Sequence, residues 1–317
     1  MTKDTKRGML LIVISILLSS TIEIVLKIFS VSLHPFQIIF WKFLLGAVVL
    51  LPAVVKHLRQ EKFTWQDFWL FQIMGIISVS VGMCFYQYAI YIGEASTATT
   101  LYSCNPALTL LFSAWFLSYR PTKFDMASLG IYFLGIVCIL YDQEAKAGLL
   151  PSLLTLAASA GYGAFSVYGK KVSHRFSSPC YASLTFFFGC AQLLLFTAVS
   201  HIPVVAESLD AAGISFLSRV PLVAGLTWET LPGLCYLGFV TTGLGYVIYL
   251  TACNLVSPFM ASITFFFKPI LGALLAVWIL QERLSTMMIV AICIILVASA
   301  VKIYSLLRSE QKEGHAA

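Results

Sequence analysis

Hydrophobic and polar positions alternate along this chain on a long scale. Apolar stretches of about 20 residues, each long enough to cross a bilayer core of roughly 30 Å as a helix, follow one another with only short polar breaks. The pattern predicts helices at about 8–29, 35–55, 68–92, 95–118, 124–141, 148–169, 180–200, 229–252, 256–280 and 284–306. Only Gly93 and Glu94 separate the third from the fourth. One longer break, 201–228, carries Pro203, Glu207, Asp210, Arg219 and Pro221. Its apolar part, Ile214 to Leu226, is too short to span and reads as an interfacial or re-entrant segment.

Composition sharpens this into a class. Of 317 residues 59% are hydrophobic and 11% charged, against roughly 25% charged in an ordinary soluble domain. The expected fold is an all-α polytopic membrane protein of ten transmembrane helices, with nearly the whole chain used by them. The basic start, Lys3, Lys6 and Arg7, followed by apolar residues, resembles a secretory signal. The apolar run continues to Phe29 without a small-x-small cleavage site, so it reads as the first helix. The eight cysteines form neither a C-x-x-C pair nor a metal-ligand spacing with histidine, and they read as small residues buried in helices.

The net charge of +6 points to cytoplasmic loops, where Lys and Arg accumulate, and no nucleic-acid partner is expected. With the N-terminus inside, 14 Lys and Arg fall in cytoplasmic segments, three (Lys146, Arg219, Arg283) fall outside, and three (Lys27, Lys42, Lys268) lie within helices. That split predicts both termini cytoplasmic in a multi-pass protein of the cell membrane.

The chain also repeats itself. An offset of 163 residues places 64–134 on 227–297 without a gap: Thr64-Trp65 falls on Thr227-Trp228, Gly75 and Gly82 on Gly238 and Gly245, Tyr86 on Tyr249, Pro106 on Pro269, Trp115 on Trp278 and Arg120 on Arg283. The rare tryptophans and the mid-helix prolines carry the match. The first two helices of each half align at an offset near 143, with Lys27 on Lys170 and Gly46 on Gly189; the difference is the insertion 201–228. Each half, 8–141 and 148–306, then has five helices. Five is odd, so the halves enter the membrane from opposite faces. This is an inverted-topology repeat, a common construction of secondary transporters.

Five-helix halves, a proline in the fourth helix of each, and Glu282-Arg283-Leu284-Ser285 at the ninth-to-tenth turn resemble the EamA-type permeases of the drug/metabolite transporter superfamily, over essentially 8–306. The resemblance implies a central cavity between the halves and movement of small metabolites, often export of amino acids or related compounds. The chain departs from the family pattern at Tyr119-Arg120, where an acidic-basic turn is usual, and at Trp41-Lys42-Phe43, where Arg-Phe is usual.

Charge inside the membrane marks the candidate site. Such a residue costs about 2.5–3.5 kcal/mol on insertion scales and normally faces a cavity or the bundle interior. Lys268 lies at the middle of the ninth helix, roughly 18 Å from either end, beside Pro269, which removes a backbone donor. It suits an anionic or zwitterionic substrate, and its repeat mate Asn105 is also polar and central. Glu23 and Lys42 lie at matching depths and are expected to pair, either as a structural ion pair or with Glu23 as a proton-coupling site. Lys27, one turn from Glu23, can reach the interface. Tyr86, Tyr102 and Tyr249 are expected to line the cavity, while Tyr91 and Asn254 read as interfacial anchors and Ser96 to Thr100 as a close-packing run. Glu282 reads as a structural cap.

The expected partners are the lipid bilayer and a small-molecule substrate; proton coupling and a homodimer stay open, and no cofactor is expected. The chain has no H-E-x-x-H, G-x-S-x-G or Gly-rich phosphate loop, which argues against an intramembrane enzyme. A passive channel is the other alternative to a secondary transporter.

Overall fold

The computed structural model describes 3–142, 148–256 and 258–314, with side chains at 6–142, 148–256, 264 and 266–305. The described residues are helical throughout, without strands. Eight helices are long and apolar enough to cross a membrane, so the chain is a multi-pass membrane protein. They are α1 (Lys3–Phe29), α2 (Pro35–Gln60), α3 (Trp65–Ile92), α6 (Lys123–Leu140), α7 (Leu149–Lys171), α8 (Ser178–Ser200), α10 (Leu231–Leu255) and α12 (Thr286–Gly314). Two predicted crossings fall short of that measure. The fourth is divided into α4 (Ala95–Tyr102) and α5 (Asn105–Phe116), and α11 (Pro258–Leu280) has its described apolar part at Phe266–Leu280. Residues 143–147 of the predicted external loop lie outside the described residues.

The division of the fourth helix, expected as one piece, has a local cause. Pro106 has no N–H for the carbonyl of Tyr102 and its ring excludes that carbonyl from the ladder. Thr100 and Ser103 also donate their hydroxyls to the carbonyls four residues back, a habit that bends helices. Pro269 does not divide α11.

Both α3 and α10 contain a π-helical stretch, Ile76–Met83 in the first and Tyr236–Leu244 in the second; the 163-residue offset carries the first onto 239–246, so that the two overlap in part. Close packing accompanies them. A Cβ on Gly46 of α2 would lie 2.6 Å from Thr242, and one on Gly238 would meet Leu45; a Cβ on Gly189 of α8 would lie 2.5 Å from Val79, and one on Gly75 would meet the backbone of Gly189. Small residues let helix backbones approach where no hydrophobic driving force separates protein from lipid. Helix starts match as well. Thr122 caps α6 with Asp125, and Ser285, its offset mate, accepts from Met288 N–H at the start of α12.

The helices interlock across the two halves: α1 packs on α10 and α11, α7 on α3, α4 and α5, α2 on α8, and α6 on α12. The largest buried cluster is built from α1, α2, α3 and α8, with Leu26, Ile38, Ile39, Phe71 and Ile90 inaccessible or nearly so.

The 201–228 insertion forms α9 (Pro203–Ala211), a 3-10 turn at Ser215–Leu217 and an irregular run. It lies over the α1–α2 turn. Gln37 donates to the carbonyls of Leu222 and Ala224, both at 2.9 Å, and Trp41 donates to Leu222 O at 2.8 Å. Phe216 packs on His34, Tyr88 and Tyr91. His34 Nδ1 accepts from Phe36 N–H while Nε2 lies 3.0 Å from Phe216 O, which requires the neutral ring with its proton on Nε2. Burial holds the imidazole below its ordinary pKa, opposed by the Phe216 carbonyl.

Two outcomes follow. A depressed folded-state histidine pKa gives stability that is present above the unfolded value of about 6.5 and lost as pH falls. Trypsin cleavage at Arg219 should therefore accelerate below that pH, and His34→Gln should remove the dependence. In the bundle, Gly189→Leu should lower stability by about 1–3 kcal/mol through overpacking, measured by melting in detergent. Gly130, whose added Cβ would meet nothing within 4 Å, should accept alanine with a change within about 1 kcal/mol.

Candidate functional site

The intramembrane charges gather at one place. Lys268 Nζ of α11 lies 2.9 Å from Glu23 Oε1 of α1, and the Tyr86 hydroxyl of α3 donates to the same oxygen at 2.6 Å. Glu23 is inaccessible and Lys268 is 8% exposed. The ammonium also sits over the Tyr102 ring, 4.8 Å from its centroid, a cation–π contact that gains strength when desolvated. The pairing corrects the sequence expectation: Glu23 binds Lys268, not Lys42. Lys42 is buried against the Phe43 ring. It stands near enough to Glu23 and Lys268 to interact with both through charge. Depth along the helices put Glu23 and Lys42 level, but depth carries no information about which neighbour a helix turns toward.

The cluster holds two ammonium groups and one carboxylate. Glu23 Oε1 accepts twice, while Oε2 is buried without a hydrogen-bond partner among the described residues. An unpaired carboxylate oxygen away from water is costly, so Oε2 is an open acceptor for a proton or a cationic group.

A cavity of about 1060 Å³ approaches this cluster from one end. Asn105, Tyr162, Ser166, Tyr246 and Tyr249 line it, and Tyr119, Lys170, Lys171 and Lys302 also border it. Of the residues singled out in the sequence, Asn105 and Tyr249 thus border the cavity. Tyr86 and Tyr102 do not line the cavity. They form a partition of tilted rings with Tyr162, with centroid separations of 4.6 and 5.8 Å, between the ion pair and the open space. Lys302 is neutralised by Asp125 at 2.5 Å, and the Tyr119 hydroxyl donates to the same carboxylate. Burial raises the Tyr119 pKa, helped by that hydrogen bond and the Asp125 charge. Lys170 and Lys171 stand exposed.

The opposite end is shut by two cross-helix caps. Lys27 of α1 donates to the carbonyls of Ile90, Tyr91 and Gly93 at the end of α3, at 2.8, 3.2 and 2.5 Å. Glu282 accepts from Ala95 N–H, Ser96 N–H and the Ser96 hydroxyl at 2.7, 3.0 and 2.6 Å. Glu282 caps another helix, α4, not its own. Lys27 reaches protein carbonyls where snorkelling to the interface was expected. Ser96 therefore serves this cap, while Thr97 and Thr99 are buried among the close-packed residues. Among the described residues no group of three or more His, Cys, Asp and Glu side chains could hold a metal ion.

The sequence profile of the EamA-like transporter family matches residues 6–141 and 149–304. The chain belongs to that family. As an EamA-like transporter it is similar to an uncharacterized transporter of Clostridium kluyveri, 27% identical over 93% of each chain. A probable amino-acid metabolite efflux pump of Escherichia coli is 22% identical over 67% of this transporter and 68% of the pump. An S-adenosylmethionine uptake transporter of Rickettsia felis is 27% identical over 40% of this chain and 42% of its own length. A solved crystal structure shares the fold, with a TM-score of 0.62 and 18% identity over 94% of this transporter and 98% of that chain.

Sequence reasoning passed over Tyr162, Ser166 and the cavity role of Lys170. The repeat contained the signal for two of them. The 143-residue offset carries Glu23 onto Ser166 and Lys27 onto Lys170, as the 163-residue offset carries Lys268 onto Asn105 and Tyr86 onto Tyr249. The buried triad Glu23–Lys268–Tyr86 thus has a neutral polar counterpart, Ser166–Asn105–Tyr249, whose members all line the open cavity.

The pair makes a stability cycle informative. Lys268→Met alone leaves Glu23 uncompensated and should cost about 3–5 kcal/mol, whereas Glu23→Gln with Lys268→Met should recover most of that loss. Melting of the purified variants in detergent reads it. Equal loss in the single and double variants would show that the pair is not coupled.

Proposed function

We propose that this transporter is a secondary carrier of a small zwitterionic metabolite, an amino acid or a related compound, and that the Glu23–Lys268–Lys42 cluster binds it. The observation that carries the proposal is the unpaired Oε2 of Glu23, in a cluster with two ammonium groups, behind the tyrosine partition at the end of a one-sided cavity. A substrate ammonium satisfies Oε2, and a substrate carboxylate supplies the negative charge that the cluster lacks. Charge-assisted hydrogen bonds of this kind are strong in a site of low dielectric. Tyr102 and Tyr86 move with the approach of substrate, and Asn105 and Tyr249 guide it along the cavity wall. Protonation of Oε2 in the empty state would couple the cycle to the proton gradient.

The working architecture is ten crossings in two inverted halves, 8–141 and 148–306, with both termini cytoplasmic in the cell membrane. The paired π stretches, the mutual glycine contacts of α2 with α10 and α8 with α3, and the matched caps of α6 and α12 support the inverted repeat. The Lys and Arg distribution supports the orientation, and with it a cavity mouth on the cytoplasmic side. A cavity with one end capped favours a carrier over a passive channel. Of the relatives named for a cargo, the efflux pump aligns over more of this chain than the Rickettsia felis uptake protein does, so export is the working direction.

Substrate counterflow in proteoliposomes, over a panel of amino acids with their esters and N-acetyl derivatives, tests the reading. A carrier of zwitterions should exchange the parent compounds and lose about tenfold or more in affinity when either charge is blocked. Glu23→Gln/Lys268→Met should fold and fail to exchange. Flux without trans-stimulation would indicate a channel, and indifference to blocked charges would remove the cluster from the site. Cysteine labelling at 30–34 and beside Lys170 checks the orientation: the first should react from outside and the second from the cytoplasm.

A further inference from the structure

The pseudo-symmetry of the two halves holds at some contacts and fails at others. It holds where the bundle is packed. A Cβ on Gly8 would meet Val256, and a Cβ on Gly93 would meet Pro151; the 143- and 163-residue offsets convert the one contact into the other. The helix ends also match: α3 and α10 both stop at an extended residue, Gly93 and Val256, whose N–H donates to Ala89 O and Ala252 O. The symmetry fails at the lysines. Lys27, in the last turn of α1, caps the end of α3. Its mate Lys170, in the last turn of α7, stands exposed at the cavity, and among the described residues its ammonium has no hydrogen bond to the end of α10.

In a carrier built from inverted halves, the two end states exchange the conformations of the halves. Contacts that obey the symmetry are common to both states, and contacts that break it are the ones that change. Resting on the alternating-access reading above, we propose that Lys170 is the cytoplasmic latch. In the state closed to the cytoplasm its ammonium leaves the cavity mouth and caps the carbonyls of Cys253, Asn254 and Val256. These are the offset mates of the three carbonyls that Lys27 holds here. The receptor is already formed: the last carbonyls of a helix lack intrahelical donors and carry its negative dipole end. The neighbouring Lys171 has Ile28 as its mate and no such partner to find.

The second cap has no cytoplasmic equivalent. Glu282 maps onto Tyr119, and Ala95, one of its donors, maps onto Pro258, which has no N–H. The external end is therefore held by two caps and the cytoplasmic end by Lys170 alone, in keeping with a resting form that is open at the Lys170 end.

The test needs no substrate. Ser113 lines the cavity, so Ser113→Cys, in a background whose native cysteines are replaced and which still folds, reports access to a membrane-impermeant maleimide from either face of oriented vesicles. Lys27→Met should raise external labelling about tenfold and lower cytoplasmic labelling, because a charge-assisted cap is lost from one state only. Adding Lys170→Met should abolish that gain. Adding Lys170→Arg should preserve it, and adding Lys171→Met should leave it intact. Should Lys27→Met fail to fold, Glu282→Gln weakens the same end and takes its place. The latch is overturned if external labelling survives Lys170→Met, or if Lys171→Met abolishes it equally, which would make mouth charge the cause. Labelling that rises on both faces together indicates a pore, and overturns alternating access itself.

Discussion

Backbone groups at hydrocarbon depth cannot turn to water, and each departure from a straight helix has to be answered by protein. Most of what is distinctive here descends from that constraint. The chain stops α3 and starts α4 within a few residues, leaving carbonyls on one side and N–H groups on the other. A lysine from α1 answers the carbonyls and a glutamate beyond α11 answers the N–H groups. The same two answers shut one end of the bundle. Closure therefore arises from satisfying helix ends, and it can be undone only by exposing those ends to a new partner or to water.

The buried ion pair has a different logic. Bringing Glu23 and Lys268 out of water costs more than their attraction alone commonly returns. Tyr86 and the Tyr102 face add to the attraction, yet one carboxylate oxygen is left without a partner and a third charge, Lys42, stands nearby. A purely structural pair would gain by satisfying that oxygen or by replacement with apolar side chains. Retaining an incomplete cluster makes physical sense if something arrives to complete it. The partition of Tyr86, Tyr102 and Tyr162 stands between that oxygen and the cavity.

The sequence made the helical membrane class and its eight long apolar helices readable, because apolar length is a local signal. It also marked Glu23, Lys42 and Lys268, since intramembrane charge is conspicuous wherever it points. It could not say which of two lysines Glu23 meets, because that depends on helix rotation, and rotation is set by contacts such as Gly46 on Thr242 and Gly189 on Val79 that no single helix encodes. The break at Ser103 and Cys104 was signalled by Pro106, yet the equivalent Pro269 leaves α11 continuous. A proline permits a break, and the surrounding packing decides whether one occurs.

Unequal halves bear on how the cycle runs. If both ends were closed by equal contacts, the empty protein would divide itself between its two faces, and net flux would follow the gradients alone. Here the insertion 201–228 of the second half lies over the α1–α2 turn at the capped end, anchored by Gln37, Trp41 and His34, and the first half has no equivalent of it. The Glu282 cap is likewise confined to one end. On the alternating-access reading, each adds free energy to one closed state without a counterpart in the other, so the empty protein would rest with its cavity toward the Lys170 end. A ligand moves such an equilibrium only by its difference in affinity for the two states. On that reading, a substrate at Glu23 and Lys268 would have to engage the cluster more fully with α7 closed on α10 than with the cavity open. The neutral mates Ser166, Asn105 and Tyr249, brought inward by that closure, are the groups placed to supply the difference.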